Sequence, residues 1–355
     1  MRELSTPEKV FEYFASQGDP RSGFSMTASD AMRSVVAVFP PFESDILRGG
    51  SLPGEPSPRV PQHPSAFFNA FDVDGSGGIT FDEWLLFESL LSIPEDDVEV
   101  AFALMDQDGN GSVDVEEFHQ VLMAIQSRAS KAPSHATHQR KTSVSLASSK
   151  GGLVTLFFGA DGSKKLTPVV FKTFLSDFRE GMMELEFKWY DFRNKGSIAA
   201  RDFALSVVGC ARLKHIDEYL DQIEAMPKEI AEKQVTYEDF KAFRSVWRRL
   251  RQLAVALEFW RHSSGRDFSP AELISVVDRV MKVKLPPQIV DVLFYLFSGE
   301  EGCLNTHYML RVMDRHFEAG LGQAMENGAM GGGGGGGEGQ RGLFECLSKC
   351  TKKQS

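Results

Sequence analysis

The chain has 355 residues, 42% of them hydrophobic, and a formal net charge of −10. That length fits about two or three domains with a sizeable core. The acidic balance argues against nucleic acid as a partner, and no apolar run reaches the roughly 20 residues that cross a bilayer.

The first stretch, residues 1–60, reads as a small N-terminal domain. Thr6 stands at a helix cap, Pro7 fits the first helical position, and Val10, Phe11 and Phe14 form an apolar face. A second helix starts at Thr27, with Asp30 three residues on and Val35 and Val36 expected on the buried side. Residues 49–64 are rich in Pro and Gly and read as a loop. The opening from Met1 to Pro7 has neither an apolar signal core nor an Arg-rich presequence, so it reads as unaddressed.

Residues 61–212 read as a lobe built from helix–loop–helix units, two of them with complete ligand loops. Residues 72–83 place Asp72, Asp74 and Ser76 at loop positions 1, 3 and 5, the carbonyl of Gly78 at 7, Thr80 at 9 and Glu83 at 12. Calcium is a hard cation that takes six to eight oxygens, and alternate residues of a tight loop aim them at one point. Gly77 at position 6 permits the sharp turn, and Thr80 is expected to act through water. Residues 106–117 fill the same slots with Asp106, Asp108, Asn110, Ser112, Asp114 and Glu117, and Gly111 takes the turn. Glu at position 12 in both loops favours Ca2+ over Mg2+, because a two-oxygen ligand suits the larger ion. Four acidic ligands against three predict that the second loop binds more tightly. Sensor loops of this kind bind at roughly 10⁻⁷–10⁻⁵ M.

The flanks agree with helices. Phe67, Phe68 and Phe71 precede the first loop and Trp84 and Phe87 follow it; Phe102 and Met105 precede the second, with Phe118, Val121 and Leu122 after it. Ile79 and Val113, both at position 8, lie 34 residues apart, a spacing that predicts back-to-back pairing of these two loops through a short ribbon.

Residues 127–152 are rich in Ser, Ala, Lys and Arg, with no acidic residue, and read as a flexible linker inside this lobe. Beyond it the repeat continues. Position-8 residues recur at Ile79, Val113, Leu166, Ile198, Val235, Phe268 and Leu304, mostly 32–37 apart, with one interval of 53 that holds the linker. The later loops have lost ligands: residues 191–202 keep Asp191 and Gly196 but set Arg193 and Lys195 where oxygens should be, and Phe297 and Tyr308 occupy positions 1 and 12 around Leu304. Residues 213–317 therefore read as a degenerate lobe of structural hands. Within it, Phe240, Phe243, Trp247, Leu250 and Leu253 recur at helical spacing, opposite Lys241, Arg244, Arg248 and Arg251. That pattern fits a core helix with a solvated basic face, or a target helix for a calmodulin-type partner.

Residues 318–355 hold an unbroken polyglycine, Gly331 to Gly337, and a short basic amphipathic end. Cys346 and Cys350 lie one helical turn apart there and read as free thiols or as a disulfide element. No Cys pair has zinc spacing, and no nucleophile elbow, P-loop or metal-hydrolase motif is present, so no enzyme is expected. The whole predicts an all-α EF-hand repeat protein of two lobes, with short two-stranded ribbons between paired loops.

The chain also resembles the mitochondrial calcium uptake (MICU) family. The resemblance rests on Ser5 to Ala15 with Met26 and Thr27, on Leu91 to Pro94, and on Phe157-Phe158-Gly159-Ala160-Asp161. Leu185 to Phe187, Tyr190-Asp191 and the segment from Val290 to Phe297 add to it. It implies a calcium-sensing gatekeeper of the mitochondrial calcium uniporter, located in the intermembrane space against the inner membrane. It also implies a partnership with the pore complex and a homo- or heterodimer with a related EF-hand protein. Some members dimerise through a disulfide near the C-terminus, where Cys346 and Cys350 lie here. Both complete loops fall early in this chain, as in plant-like members. A calcium buffer, or an adaptor for another target, is the alternative.

Overall fold

The computed structural model describes residues 6–19, 23–42, 44, 71–72, 77–93, 97–130, 152–159, 161–209, 216–264, 268–297, 304 and 309. Among them are fourteen helices and four strands of three residues each, so the all-α expectation holds. The C-terminal tether, most of the linker, and Asp74 and Ser76 lie outside the described residues.

Local chemistry sets the first helices. α1 (Pro7–Phe14) begins with Pro at a position whose N–H has no partner in any helix, while Thr6 occupies the cap without a side-chain cap bond. α2 (Ala28–Val35) opens with a capping box, in which Thr27 and Asp30 each bond the other's backbone N–H. Its burial falls on residues 30–34, including Ala31 and Met32. Val35 and Val36 are only half-buried, because the helix stops there and Val36 is already extended.

Between these helices, β1 (Gln17–Asp19) and β2 (Gly23–Ser25) form a small antiparallel hairpin that leads into Met26. Met26 then exchanges both backbone hydrogen bonds with Ile79, each at 2.8 Å. This is the ribbon of an EF-hand pair, and its first member is residues 19–30. The seven-member repeat thus has an eighth, earlier member.

That extra member overturns the expected pairing of the two complete loops. Ile79 pairs with Met26, and Val113 pairs with Leu166 through two bonds of 2.9 Å. Hands pair in chain order, first with second and third with fourth. Counting from Ile79 therefore shifts the phase by one. Each complete loop sits beside an emptied one.

The remaining hands follow the same rule. α3 (Phe81–Leu91) leaves the Ile79 loop, and α4 (Val98–Met105) and α5 (Val115–Ser130) flank the Val113 loop. α5 runs to Ser130, into the first residues of the expected linker. α6 (Gly152–Phe158) enters the Leu166 loop, and α7 (Pro168–Tyr190) leaves it and runs on into the next loop. β3 (Ser197–Ala199) and β4 (Gln234–Thr236) pair antiparallel, with Ile198 opposite Val235. Phe268 bridges Leu304.

The chain divides into two compact units, Met1–Gly209 with Glu232–Lys241, and Cys210–Ala231 with Ala242–Ser355. Phe rings fill the first. Phe71, Phe87 and Phe178 meet at centroid distances of 4.6–5.2 Å, in tilted and edge-to-face arrangements. In the second, α9 (Ile216–Glu224) and α14 (Pro287–Phe297) are tied by reciprocal bonds: Gln222 Nε2 donates to the Tyr295 carbonyl and Tyr295 OH to the Gln222 carbonyl. The stretch 240–260 is two helices, α11 (Tyr237–Arg248) and α12 (Leu250–Ser264), with Arg249 in the turn. Phe240, Phe243, Leu250 and Leu253 are buried, so their stripe is core and is not open to a partner.

Candidate metal centre

The loop of residues 106–117 is described in full. It hangs between α4 and α5, whose Phe102, Met105, Phe118 and Leu122 are buried. Gly111 at position 6 has φ +81°, the left-handed region that a side chain would strain. That turn aims backbone N–H groups inward. Asp106 Oδ1 accepts from Asn110 N–H at 3.1 Å and its Oδ2 from Gly111 N–H at 2.8 Å. Asp108 accepts from both the backbone and the side chain of Asn110. Those bonds, the backbone one first, hold the Asp108 carboxyl below the usual carboxylate range.

Glu117, at position 12, is buried. Its Oε1 accepts from Gln107 N–H at 2.9 Å and Asp108 N–H at 3.3 Å, across the loop, and its Oε2 from Asp114 N–H at 3.0 Å. Asp114 returns a bond, its Oδ1 accepting from Glu117 N–H at 2.9 Å. The two residues form a capping box at the start of α5.

Oxygens of Asp106, Asp108 and Glu117 all lie within 4.8 Å of one another. Three carboxylates held this close repel unless a cation joins them, and a set of hard oxygens fits Ca2+. Asp114 is not part of this cluster. Its side chain caps the helix, which matches a position that reaches an ion through water. The carboxylate count that ranked the second loop above the first thus includes one that the geometry sets aside.

The first loop is described at Asp72 and from Gly77 onward. Asp72 Oδ2 accepts from Gly77 N–H at 2.9 Å, the position 1-to-6 bond also made by Asp106 and Gly111. Gly77 has φ +82°. Glu83 is buried, and its Oε2 accepts from Thr80 N–H at 2.8 Å and Thr80 Oγ1 at 2.7 Å. A side chain at Gly78 would collide with Ser25 and Gln17 of the adjoining emptied hand, so its backbone is braced from that side.

The emptied loops reuse their former ligand positions as scaffold. Asp191 keeps the old bonds, its Oδ2 accepting from Gly196 N–H at 2.7 Å, while Asp202 at position 12 accepts from Phe42 N–H at 2.9 Å. Asp30, at position 12 of the first hand, accepts from Ser16 Oγ and from Thr27. The sequence reading missed that hand, although Met26, Thr27 and Asp30 at positions 8, 9 and 12 carry its signal.

Paired helix–loop–helix units and a convergent oxygen cluster define a calcium-binding protein of the EF-hand class. A family model described as an EF-hand domain pair matches residues 65–123. The chain is 36% identical over 358 residues to the calcium uptake protein, mitochondrial, of Arabidopsis thaliana, covering 98% of this chain and 70% of that protein. It is 26% identical to human calcium uptake protein 1, mitochondrial, over 92% of this chain and 70% of that protein. The chain belongs to the mitochondrial calcium uptake protein family. Its fold is similar to the apo structure of the mitochondrial calcium uniporter protein MICU2. The TM-score is 0.59 and the identity 18%, with 99% of this chain and 100% of that one covered. The Ca-binding state of EFHA2 gives a TM-score of 0.57 at 20% identity, over 85% of this chain and 96% of that one.

Proposed function

We propose that this chain is the calcium-sensing regulatory subunit of a mitochondrial calcium uniporter. In this reading it lies in the intermembrane space against the inner membrane, contacts the pore complex, and works as a dimer with a second copy or a related EF-hand protein. Its role is regulatory and not catalytic. The two sites would be Asp72, Asp74, Ser76, the Gly78 carbonyl, Thr80 and Glu83, and Asp106, Asp108, Asn110, the Ser112 carbonyl, Asp114 and Glu117.

The observation that carries the reading is the contrast between hands. Complete ligand sets remain at residues 72–83 and 106–117, while the emptied hands keep their ribbons and capping residues. A buffer gains from capacity, and most of this repeat has none. A sensor needs few sites and a large scaffold that responds. Glu83 and Glu117 are the residues through which that response runs. Glu117 ties positions 2, 3 and 9 of its loop together, and Glu83 caps α3 through Thr80. Mitochondria from cells lacking the protein should recover calcium-dependent control of uptake with the wild-type chain. A chain with alanine at both Glu83 and Glu117 should not restore it. Full calcium activation with the double variant sinks the sensor reading, and failure to co-purify with the pore subunit with or without calcium favours an adaptor for another target.

A further inference from the structure

The phase shift in hand pairing gives the loop of residues 106–117 an unexpected neighbour. Leu166 belongs to an emptied loop, residues 159–170, and its bridge to Val113 fixes the register of the two loops. One step outward from that bridge, Lys165 stands across from Asp114, and residues directly opposite on an antiparallel pair share a face. Gly162 of the same emptied loop lies against Val115, where an added Cβ would stand 3.6 Å from a Val115 methyl. The emptied loop therefore runs alongside residues 114–115 on one side of the bridge.

The emptied loop carries two adjacent lysines that point to different places. The Lys164 stem lies over Gly159, within its own loop, and the Lys164 charge acts on Asp161. Lys165 instead stands in register with Asp114 across the bridge. In the other pair the equivalent place across from Thr80 belongs to Ser25, which is neutral.

We propose that Lys165 is a tethered counter-cation that holds down the calcium affinity of the loop formed by residues 106–117. The inference rests on the reading of that loop as a calcium site. Side chains opposite on an antiparallel pair start about 5 Å apart, inside the Debye length of about 8 Å at physiological salt, and a fixed positive charge there repels a divalent cation twice as strongly as a monovalent one. The extra carboxylate of the second loop is thereby offset by an opposite charge that its own sequence does not contain. Lys165 sets the concentration at which this loop fills, and it does so from a hand with Gly159 and Val170 in place of the carboxylates at positions 1 and 12.

The test is calorimetric titration of the full chain with calcium chloride, in a Glu83→Gln background that leaves one strong site. Lys165→Gln is expected to tighten binding by about three- to tenfold at low ionic strength. Lys165→Arg, which keeps the charge, should stay within about twofold of the parent, and the gain from Lys165→Gln should shrink toward parity in about 0.5 M KCl. Unchanged affinity in Lys165→Gln overturns the inference, and so does equal tightening by Lys165→Arg or a gain that salt leaves intact. Absence of any binding to the Glu83→Gln parent overturns the reading of the loop as a site, and this inference with it. Lys165 is solvent-exposed, so its replacement leaves the core untouched.

Discussion

Glu83 and Glu117 each carry two duties, one as an expected ligand and one as the third residue of a helix. As helix residues they accept from backbone N–H groups at position 9, and Glu117 also reaches positions 2 and 3. A charged acceptor makes such bonds shorter and stronger than a neutral one does. Glu117→Gln should therefore lower calcium affinity of its loop by on the order of a hundredfold or more, since a two-oxygen charged ligand is lost. It should also cost the calcium-free protein about 1 kcal/mol from weakened bonds. Calorimetric titration reads the first effect and urea unfolding in chelator reads the second. A variant that loses binding at no stability cost would mean that Glu117 does not hold the loop shut.

At the scale of elements, the unit of structure is the hand pair and not the hand. The emptied hand of residues 19–30 shows why a loop without a ligand set persists. Asp30 is 1% exposed and accepts from Ser16 Oγ, Thr27 N–H and Thr27 Oγ1, so it closes α2 onto its own hairpin. Across the pair, Trp84 Nε1 of α3 donates to Ser34 Oγ of α2 at 2.8 Å, in the buried interior. Asp30→Ala removes a cap and leaves buried donors without a partner, a loss of about 1–3 kcal/mol in urea unfolding. It should weaken calcium binding at residues 72–83, whose Ile79 depends on Met26, and leave residues 106–117 within about twofold of the parent. Equal weakening at both loops would contradict pairwise organisation.

Across the whole first unit, the two complete loops share no ribbon, yet a line of phenyl rings joins them. Phe71 immediately precedes Asp72, and Phe118 immediately follows Glu117. From Phe71 the contacts run to Phe174 at 6.2 Å, to Phe157 at 4.8 Å and to Phe118 at 5.7 Å. Phe174 and Phe178 lie on α7, so the long helix of an emptied hand supplies the middle of the chain. Coupling between the sites, measured as the effect of Glu83→Gln on affinity at residues 106–117, should fall in a Phe174→Leu background. A fall equivalent to about 0.5–2 kcal/mol is the range for residues between coupled sites. Coupling that survives Phe174→Leu unchanged would assign it to another route.

The sequence by itself determined the local chemistry. Ligand spacing at residues 72–83 and 106–117, the glycines at Gly77 and Gly111 and the capping pair Thr27–Asp30 are short-range patterns, set within one loop or one helix turn, and the repeat from Ile79 to Leu304 is legible as a recurrence of such units. The partner of each loop was decided only in three dimensions. Ribbon pairing joins residues 53 apart in Met26–Ile79 and Val113–Leu166, and its phase depends on a first hand with too few ligands to stand out. The same holds for the break at Arg249, the capping role of Asp114 and the place of Lys165 beside a loop it does not belong to. Ligand identity is a property of twelve consecutive residues, whereas the charge and packing that tune it arrive through contacts between distant ones.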